Sequence, residues 1–509
     1  MSLMDHLPVL VVLIPLLTAP VCSVFRNTAI PRVLAQVAAW ASFGVSALLL
    51  NRVMTEGTVR YQMGGWEPPW GIEYRIDLLG GLVLTIVTAI AALVLTFAPR
   101  SVAVEIPERR RSVFYAVFLL CFTGLAGMTI TGDAFNLFVF LEISSLSSYA
   151  LISLGRDRRA LSAAFQYLIM GSIGATFILI GIGFIYMMTG TLNMDDMAQR
   201  IPAVSQTGTI RVGFAFVTVG FGLKVALFPL HLWLPNAYAY APSTVSAFLA
   251  ATATKVAIYS LLRFLLSIFG IGFALGALPY DLILVTLGCA GIFSASLVAI
   301  FQKNVKRMLA YSSVAQIGYI VLGIGLANHT GVSAAITHIF NHALMKGALF
   351  LALAAVMYRV GATRIESFRG LGRRMPLTMA AITVAGLSLV GVPGTAGFIS
   401  KWYLVTATLE TGLWPFAILV LLGSFMALLY IGRILEAAYL GKFPIDSEEG
   451  QPADGATSCP VTQDVREAPL GMLIPILVLA GANLYFGLNT ELSFGLADRA
   501  TAALMEALP

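Results

Sequence analysis

Residues 78–97 read LLGGLVLTIVTAIAALVLTF, twenty consecutive residues without a charged side chain. A helix of this length, rising about 1.5 Å per residue, crosses the ~30 Å hydrocarbon core of a bilayer. Such stretches recur along all 509 residues, of which 58% are hydrophobic and only 11% charged. Soluble proteins carry about 25% charged residues, so the composition excludes a cytosolic enzyme and a disordered chain. Because the stretches are uniformly apolar rather than alternating, they predict an all-α polytopic membrane protein.

The apolar stretches predict fourteen membrane spans. Of the 31 Lys and Arg residues, nineteen fall in loops after odd-numbered spans, and six fall in the other loops and the C-terminal tail. The positive-inside rule therefore places the odd loops in the cytoplasm and both termini outside. The longest hydrophilic segment, 441–468, is predicted to be a cytoplasmic loop. The predicted spans are 8–25, 31–51, 76–98, 112–131, 133–154, 161–189, 210–230, 245–269, 281–301, 308–327, 332–358, 376–405, 413–440 and 469–489.

Six basic residues fall inside the predicted spans. A charge at mid-bilayer costs about 2.5–3.5 kcal/mol on insertion scales, so such residues are rare unless they are paired, hydrated or functional. The two arginines among them lie near span ends, where a long side chain can extend to the membrane interface and keep its charge in water. Essentially one acidic residue, Glu142, is placed deeply enough in the spans to neutralise any of the lysines. The six basic residues are Lys224, Lys255, Arg263, Lys346, Lys401 and Arg433.

A buried lysine whose charge is held by a carboxylate can act as a switchable proton site, because burial favours the neutral amine and the carboxylate favours the ammonium. We expect Glu142 and Lys224 to form such a pair, with Lys255 as the next group inward. A static ion pair that only fixes helix packing is the alternative. Four lysines against one acid exceed what packing requires, which favours the functional interpretation.

Two of the predicted spans contain helix breakers beside a lysine. Pro229 follows Lys224 by five residues, and Pro393 precedes Lys401 in GVPGTAGFISK. Proline removes a backbone hydrogen bond, and interrupted helices at membrane depth are tolerated where they line a hydrated cavity. The paired pattern predicts two broken helices, one in each half of an internal repeat.

Histidines extend the candidate proton path. His338, His342 and Lys346 recur every four residues and therefore line one helix face, about 6 Å apart per step. Imidazole titrates near pH 6.5 and can pass protons through either nitrogen. A zinc site and a structural histidine pair are the alternatives. His231, in the Pro-rich segment PLHLWLP, is a candidate for proton entry, although loop packing explains it equally well.

Other kinds of site lack their motifs. No GxxxxGK[ST] loop is present, and no strand pattern exists to hold a dinucleotide fingerprint. The cysteines form no CxxC or Cys/His cluster and are interpreted as packing residues. We therefore predict no metal, no cofactor, no nucleic-acid partner and no catalytic domain of its own. The cysteines are Cys22, Cys121, Cys289 and Cys459.

Several long motifs resemble one membrane-protein family, the antiporter-like subunits shared by Mrp-type multisubunit Na⁺/H⁺ antiporters and respiratory complex I. The resemblance covers roughly residues 60–440. Its motifs are GDAFNLFVFLEISSLSSYALIS (132–153), GFGLKVALFPLHLWLPNAYAYAPSTVSAFLAATATKVAIY (220–259), FQKNVKRMLAYSSVAQIGYI (301–320), HIFNHALMKGALFL (338–351) and GVPGTAGFISKWYLV (391–405).

The resemblance implies a fold of fourteen helices with two inverted five-helix repeats, here 112–269 and 281–440. Residues 1–111 would form the first three helices, and 469–509 would form helix fourteen and the tail. By motif match, Glu142 corresponds to the essential glutamate of the family, and Lys224 to the partner lysine in a broken helix. Lys255 matches the connecting lysine, His338 and His342 the polar axis, and Lys401 the terminal lysine of the second channel.

Among family members, YQMGGWEPPWGIEYRIDLL (61–79) and the run around Glu142 are most similar to the D-type member of Mrp antiporters. The resemblance thus implies a proton-translocating subunit of a multisubunit Na⁺/H⁺ antiporter in the cytoplasmic membrane. Its partners would be other membrane subunits, the lipid bilayer, H⁺ and Na⁺. The alternative is a proton-pumping subunit of an NADH-quinone oxidoreductase or a related respiratory complex. A non-transporting scaffold is disfavoured, because a scaffold could replace the buried lysines with apolar residues.

Overall fold

The computed structural model describes residues 3–25, 29–277, 279–442 and 465–506. These residues form twenty α-helices and one short antiparallel hairpin. The helices are α1 (Leu7–Val24), α2 (Ala29–Glu56), α3 (Leu78–Glu105), α4 (Glu108–Ile130), α5 (Ala134–Ser153), α6 (Arg159–Thr189), α7 (Met194–Val204), α8 (Gly208–Val225), α9 (Trp233–Tyr240), α10 (Ser243–Ala251), α11 (Ala253–Leu262), α12 (Tyr280–Ile300), α13 (Val305–Gly325), α14 (His329–Val360), α15 (Leu371–Arg374), α16 (Pro376–Val390), α17 (Ala396–Glu410), α18 (Trp414–Leu440), α19 (Leu470–Leu488) and α20 (Leu496–Glu506). The strands are β1 (Val59–Gln62) and β2 (Glu73–Ile76).

The helical segments confirm an all-α polytopic membrane protein. Within the described residues, thirteen segments are long and apolar enough to cross a bilayer. The predicted span 376–405 is not among them because it is divided into α16 and α17, with an interruption at 391–395. Counting this divided span, the fourteen predicted spans are all found. Most of the hydrophilic segment 441–468, including Cys459, lies outside the described residues.

The interruptions fall where the prolines predict them, and one more occurs that we did not expect. The seventh predicted span is helical only to Val225, and Ala226 then adopts a left-handed backbone with φ 61°. In the twelfth span, Gly391 and Gly394 have φ values of 93° and 84°, a region that glycine enters without steric cost. The predicted span 245–269 is found as the segment Ser243–Ile268, but Thr252 interrupts it and separates α10 from α11.

Helix α14 lies at the centre of the bundle. All residues in its most apolar stretch of eighteen are buried. The helix packs against α3, α10, α13, α16, α17 and α19. Polar and ionisable side chains at membrane depth are costly unless they face the interior of the bundle. Polar side chains on α14 are therefore held in protein, away from lipid.

The hairpin corrects the expectation that the chain contains no strand. Val59 pairs with Ile76 and Gln62 with Glu73 in antiparallel register. Each strand has only four residues, too few for an alternating pattern to stand out in the sequence. The Glu73 carboxylate accepts from Arg60 at 3.1 Å and from the Asn193 amide at 2.8 Å. The hairpin is thereby tied to the residue that caps the N-terminus of α7.

Arg263 does not extend to the interface as one of the two interpretations allowed. It is buried and forms an ion pair with Asp77, the N-cap residue of α3. Its Nε donates to the Tyr259 hydroxyl, which in turn donates to the carbonyl of Thr129 at 2.9 Å. Burial alone would raise the pKa of the Asp77 carboxyl, but the guanidinium prevails and lowers it from 3.8 to about 2. The pair therefore contributes its stability above pH ~4 and loses it as the pH falls towards 2.

We expect Asp77→Asn to destabilise the fold strongly, because it leaves a buried guanidinium without its counter-charge. Breaking one half of a buried ion pair costs about 3–5 kcal/mol. The amide oxygen of asparagine can still accept from the Gly80 N–H. The loss of stability therefore measures the missing negative charge and not a missing helix cap. The measurement is the thermal unfolding midpoint of the detergent-purified protein. Asp157→Asn, in an exposed ion pair with Arg159, is the control and should leave the midpoint nearly unchanged.

Candidate proton-transfer site

Glu142 and Lys224 meet as the sequence predicts. Glu142 lies midway along α5, and Lys224 is in the last turn of α8. The Lys224 Nζ and Glu142 Oε1 atoms are 3.6 Å apart, with the lysine side chain 4% exposed and the glutamate 26% exposed. Nζ donates instead to the Ser145 hydroxyl at 2.8 Å. The ammonium is therefore attracted by the carboxylate but hydrogen-bonded to a serine, an arrangement in which the ion pair can separate without leaving the lysine unpartnered.

The interruption after Lys224 is stabilised by aromatic side chains. Trp233 donates its indole N–H to the carbonyl of Leu223, and its ring stacks on Tyr167 with 3.9 Å between centroids. His231 lies in this interruption, between α8 and α9, and is only 7% exposed. Its ring stacks on Phe228, one residue before Pro229. The proposed entry role of His231 and the hinge role of Pro229 stay predictions.

Lys255 lies beside the unexpected interruption at Thr252. Its side chain is buried, and Nζ donates to the carbonyl of Ala250 and, at 3.4 Å, to the Thr254 hydroxyl. The carbonyl of Ala250 belongs to the last turn of α10, where carbonyls lack helical partners. An interrupted helix therefore supplies the acceptor for a lysine here as well.

His338 is held between two polar side chains on neighbouring helices. Its Nε2 is 2.9 Å from Gln316 Oε1 on α13, and its Nδ1 is 2.7 Å from the Ser400 hydroxyl on α17. A carbonyl oxygen can only accept, so Nε2 donates to Gln316 and, in the neutral ring, Nδ1 accepts from Ser400. This is the geometry of a group that can receive a proton on one nitrogen and release it from the other.

His342 and Lys346 continue the row along α14, and both are fully buried. The His338 and His342 rings are stacked, with centroids 6.0 Å apart, as the four-residue spacing predicts. Lys346 Nζ donates to the carbonyl of Leu309 and the hydroxyl of Ser312 on α13. His342 is within electrostatic range of Lys255, Lys346 and Lys401. The row is therefore coupled by charge, although these side chains do not all touch.

Lys401 lies in the second turn of α17, just after the interruption of the second divided span. Nζ donates to the carbonyls of Leu389 and Val390, at 2.9 and 3.0 Å, and to the Ser424 hydroxyl at 3.1 Å. It also lies 4.6 Å from the centre of the Tyr319 ring. The two carbonyls end α16, just before Pro393, where the helix dipole is negative. The interruption thus provides a site for a positive charge.

Sequence reasoning missed the polar partners of the ionisable groups. Ser145, Gln316, Ser400 and Ser424 each bond one of them. A glutamine in the apolar run AYSSVAQIGYI was a usable signal for Gln316, since an amide placed at membrane depth must be satisfied by a partner. Single serines carry no such signal, because they are common in membrane helices.

The contacts of His338 bear on the alternative of a zinc site. In the part of the chain that the structure describes, no group of three His, Cys, Asp or Glu side chains is placed to hold a metal ion. Both nitrogens of His338 are engaged by Gln316 and Ser400, which leaves neither free for a metal. The described cysteines, Cys22, Cys121 and Cys289, are buried free thiols on separate helices.

We expect Gln316→Met to lower proton translocation at least about tenfold, a modest share of what a positioned proton-transfer group contributes. Methionine fills a similar volume but cannot accept from His338 Nε2, so the tautomer of the ring is no longer fixed. The measurement is the initial rate of proton movement in vesicles, normalised to the amount of assembled protein. Gln206→Met, at an exposed position, is the control, and an unaltered rate in Gln316→Met would contradict a proton-transfer role for His338.

The fold and the site define a class of protein. A polytopic bundle with two spans divided beside prolines, and a buried row of lysines and histidines that starts at a half-buried glutamate, is a membrane subunit for moving ions or protons. The family model described as NADH:quinone oxidoreductase/Mrp antiporter, TM, matches residues 131–427. This is more than half of the chain, which therefore belongs to that family and is a multi-pass membrane protein.

Full-length relatives carry two kinds of name. The chain is 42% identical to the N-type subunit of the NADH-quinone oxidoreductase of Desulforudis audaxviator (strain MP104C), over 96% of each chain. It is 28% identical to the D-type subunit of the Na(+)/H(+) antiporter of Bacillus subtilis (strain 168), over 99% of this chain and 98% of the relative. Among solved structures, it superposes on a chain of the Mrp complex from Dietzia sp. DQ12-45-1b with a TM-score of 0.88 and 29% identity, covering 99% of this chain and 98% of that one.

Proposed function

We propose that this chain is the D-type, proton-translocating membrane subunit of a multisubunit monovalent cation/proton antiporter. The observation that carries the proposal is the ionisable row itself. It begins at the Glu142–Lys224 pair and continues through Lys255 and α14 to Lys401, at the far divided span. The likeness to the D-type antiporter relative and to the Mrp complex supports the cation/proton assignment.

The Glu142–Lys224 pair is proposed as the switch. At 3.6 Å and an effective dielectric constant of about 20, two unit charges attract each other by about 4–5 kcal/mol. Removing or restoring that attraction changes the ratio of charged to neutral lysine about a thousandfold. Protonation of Glu142 would therefore release Lys224, and recapture would restore its charge. Ser145 gives the released ammonium a partner during the change.

The remaining groups are proposed to pass the charge change on. When Lys224 changes its charge or position, the field at Lys255 changes, and protons redistribute among Lys255, the α14 histidines, Lys346 and Lys401. His338 contributes a bridge between α13 and α17. Because His342 is within electrostatic range of three lysines, its protonation is coupled to all of them.

The proposed setting is the cytoplasmic membrane, with both termini outside and the Arg-rich odd loops inside. We further propose that 112–269 and 281–440 act as the two repeats, each carrying one span that is divided beside a proline. Glu142 is 26% exposed on the surface of the isolated chain. A carboxylate facing lipid is costly, so a neighbouring membrane subunit is proposed to cover this face of α5.

The experiment is a gentle detergent purification of the native assembly through a tag on this chain. Mass spectrometry identifies the partners, and an absorbance spectrum of the same sample detects flavin and iron–sulfur centres. Small hydrophobic partners without redox absorbance are the expected result. Co-purifying redox subunits would overturn the antiporter assignment.

A second candidate function is a proton-pumping subunit of an NADH-quinone oxidoreductase. The observation that favours it is the 42% identity to the N-type subunit of such an enzyme over nearly the whole chain. In that assembly electron transfer in partner subunits would drive the same proton row. Redox-dependent proton pumping that ignores sodium would identify this function.

A further inference from the structure

A cavity outside the row of ionisable groups lies where several segments of the chain meet. Its volume is about 190 Å³, and it is lined by the ends of α3 and α14, the loop between α5 and α6, the turn before α10 and the start of α13. A second cavity of about 480 Å³ shares Glu105 and Arg156 with it and is also lined by Arg110 and Arg111. These arginines belong to the loops that are predicted to be cytoplasmic. The two neighbouring cavities are together called the vestibule below.

Glu105 stands between the two cavities. Its Oε1 accepts from the Ser101 hydroxyl at 2.7 Å, and its Oε2 accepts from the backbone N–H of Ser243 at 2.8 Å. Ser101 in turn accepts from the Thr244 hydroxyl at 3.1 Å. The carboxylate is half-buried, so one side of it meets the vestibule and the other meets the helix that leads to Lys255.

Lys306 faces the same cavity from α13 and is only 7% exposed. Its Nζ donates to the carbonyl of Ala241 at 2.5 Å. The Glu105 carboxylate lines the same cavity and attracts the Lys306 charge across it, without a direct ion pair. The other charged groups in the lining are Arg156, Asp157 and Arg159. Asp157 is paired with Arg159, whose guanidinium also lies over the Tyr240 ring.

Helix α13 connects Lys306 to the ionisable row. Lys346 Nζ donates to the carbonyl of Leu309, about one turn further along α13, and to the hydroxyl oxygen of Ser312 at 2.5 Å. Ser312 lies six residues beyond Lys306, a rise of about 9 Å along the helix. Lys346, on α14, therefore contacts α13 less than two turns along the helix from Lys306.

We propose that Glu105 and Lys306 form a cytoplasmic proton-transfer site that loads Lys346 and the α14 histidines independently of the Glu142–Lys224 pair. The inference rests on the proposed function, that this chain translocates protons. A proton from water binds the Glu105 carboxylate, and the Lys306 ammonium, no longer held by that charge, releases its proton towards Ser312 and Lys346. The Glu105 proton then moves to the Lys306 amine and restores both charges. One proton enters and one leaves the pair in each cycle.

The test uses everted membrane vesicles that contain the complete assembly, loaded with sodium and diluted into sodium-free buffer. Sodium efflux then draws protons from the exposed cytoplasmic face, and a trapped pH dye reports lumen acidification. Glu105→Gln keeps acceptor and donor atoms at the cap of α10 but cannot exchange a proton. Its initial rate is expected to fall at least about tenfold at about pH 8 and to recover most of the way at about pH 6.5, where protons are abundant.

Lys306→Arg is the second variant, because arginine keeps the charge and the contact with Ala241 but does not release its proton. The initial rate of lumen acidification in Lys306→Arg should be low at both pH values. Asp157→Asn, in the same cavity but in the exposed pair with Arg159, is the matched control and should match the wild type. Assembly is checked by the yield of partner subunits.

Rates in Glu105→Gln and Lys306→Arg equal to the wild type at both pH values would overturn the inference. If the rate in Glu105→Gln fell equally at both pH values while Lys306→Arg kept a normal rate, Glu105 would act only as a cap of α10. That result would also overturn the inference. A wild-type assembly that does not respond to sodium contradicts the antiporter proposal instead. The same three variants are then compared with an electron donor as the driving force.

Discussion

Lys224→Ala, in an assembly that otherwise forms normally, is expected to abolish proton exchange. The change removes the positive member of the 3.6 Å pair and with it the group whose charge Glu142 controls. A positioned proton-transfer group contributes about 10²–10⁴-fold, so the remaining rate should lie at or below one hundredth of the wild type. Glu142→Gln should have the same effect, because the amide keeps the shape of the side chain but neither its charge nor its proton. The measurement is sodium-driven pH change in vesicles.

The controls for this pair are matched by residue type. Lys303→Ala and Glu108→Gln alter exposed residues and should leave the rate unchanged. The double variant Glu142→Gln/Lys224→Ala should be no worse than either single variant, because groups that act as a unit are not additive. Full exchange in both single variants would contradict the carboxylate–lysine switch.

Lys401→Ala is expected to lower exchange nearly as far, at least about tenfold. It removes the last ionisable group of the row and leaves the carbonyls of Leu389 and Val390 without their donor. An unsatisfied buried carbonyl costs about 1–3 kcal/mol, so a lower unfolding midpoint should accompany the loss. Vesicle assays and thermal unfolding of the same preparation measure the two effects.

Lys401→Arg separates those two effects. Arginine can still donate to the carbonyls and to Ser424, but it does not give up its proton. We expect the unfolding midpoint to recover while exchange stays low. If Lys401→Arg restored exchange as well as stability, Lys401 would hold the divided span in place and would not carry protons.

The fold was largely predictable because hydropathy and loop charge act over long stretches of chain. Fourteen spans and both Pro-containing interruptions followed from apolar length and from breakers beside lysines. The four-residue spacing of His338 and His342 correctly predicted that the two rings lie on one helix face about 6 Å apart. These features depend on local sequence, which a single chain displays in full.

The remaining features depend on contacts between distant residues. The interruption at Thr252 has no neighbouring proline or glycine from which it could be predicted. The Arg263–Asp77 pair joins residues 186 positions apart, and Gln316 meets His338 only because α13 packs on α14. Glu105 and Lys306 fall in two different predicted loops, 99–111 and 302–307, and only the packing of distant segments places them on one cavity.

The most direct test of the proposed function is lumen pH in vesicles that contain the purified assembly and no electron donor. An imposed sodium gradient should move protons in the opposite direction in the wild type and should leave the pH unchanged in Glu142→Gln. A wild-type lumen that stays at constant pH under sodium, but acidifies when an electron donor is added, would contradict the antiporter account and identify a respiratory pump.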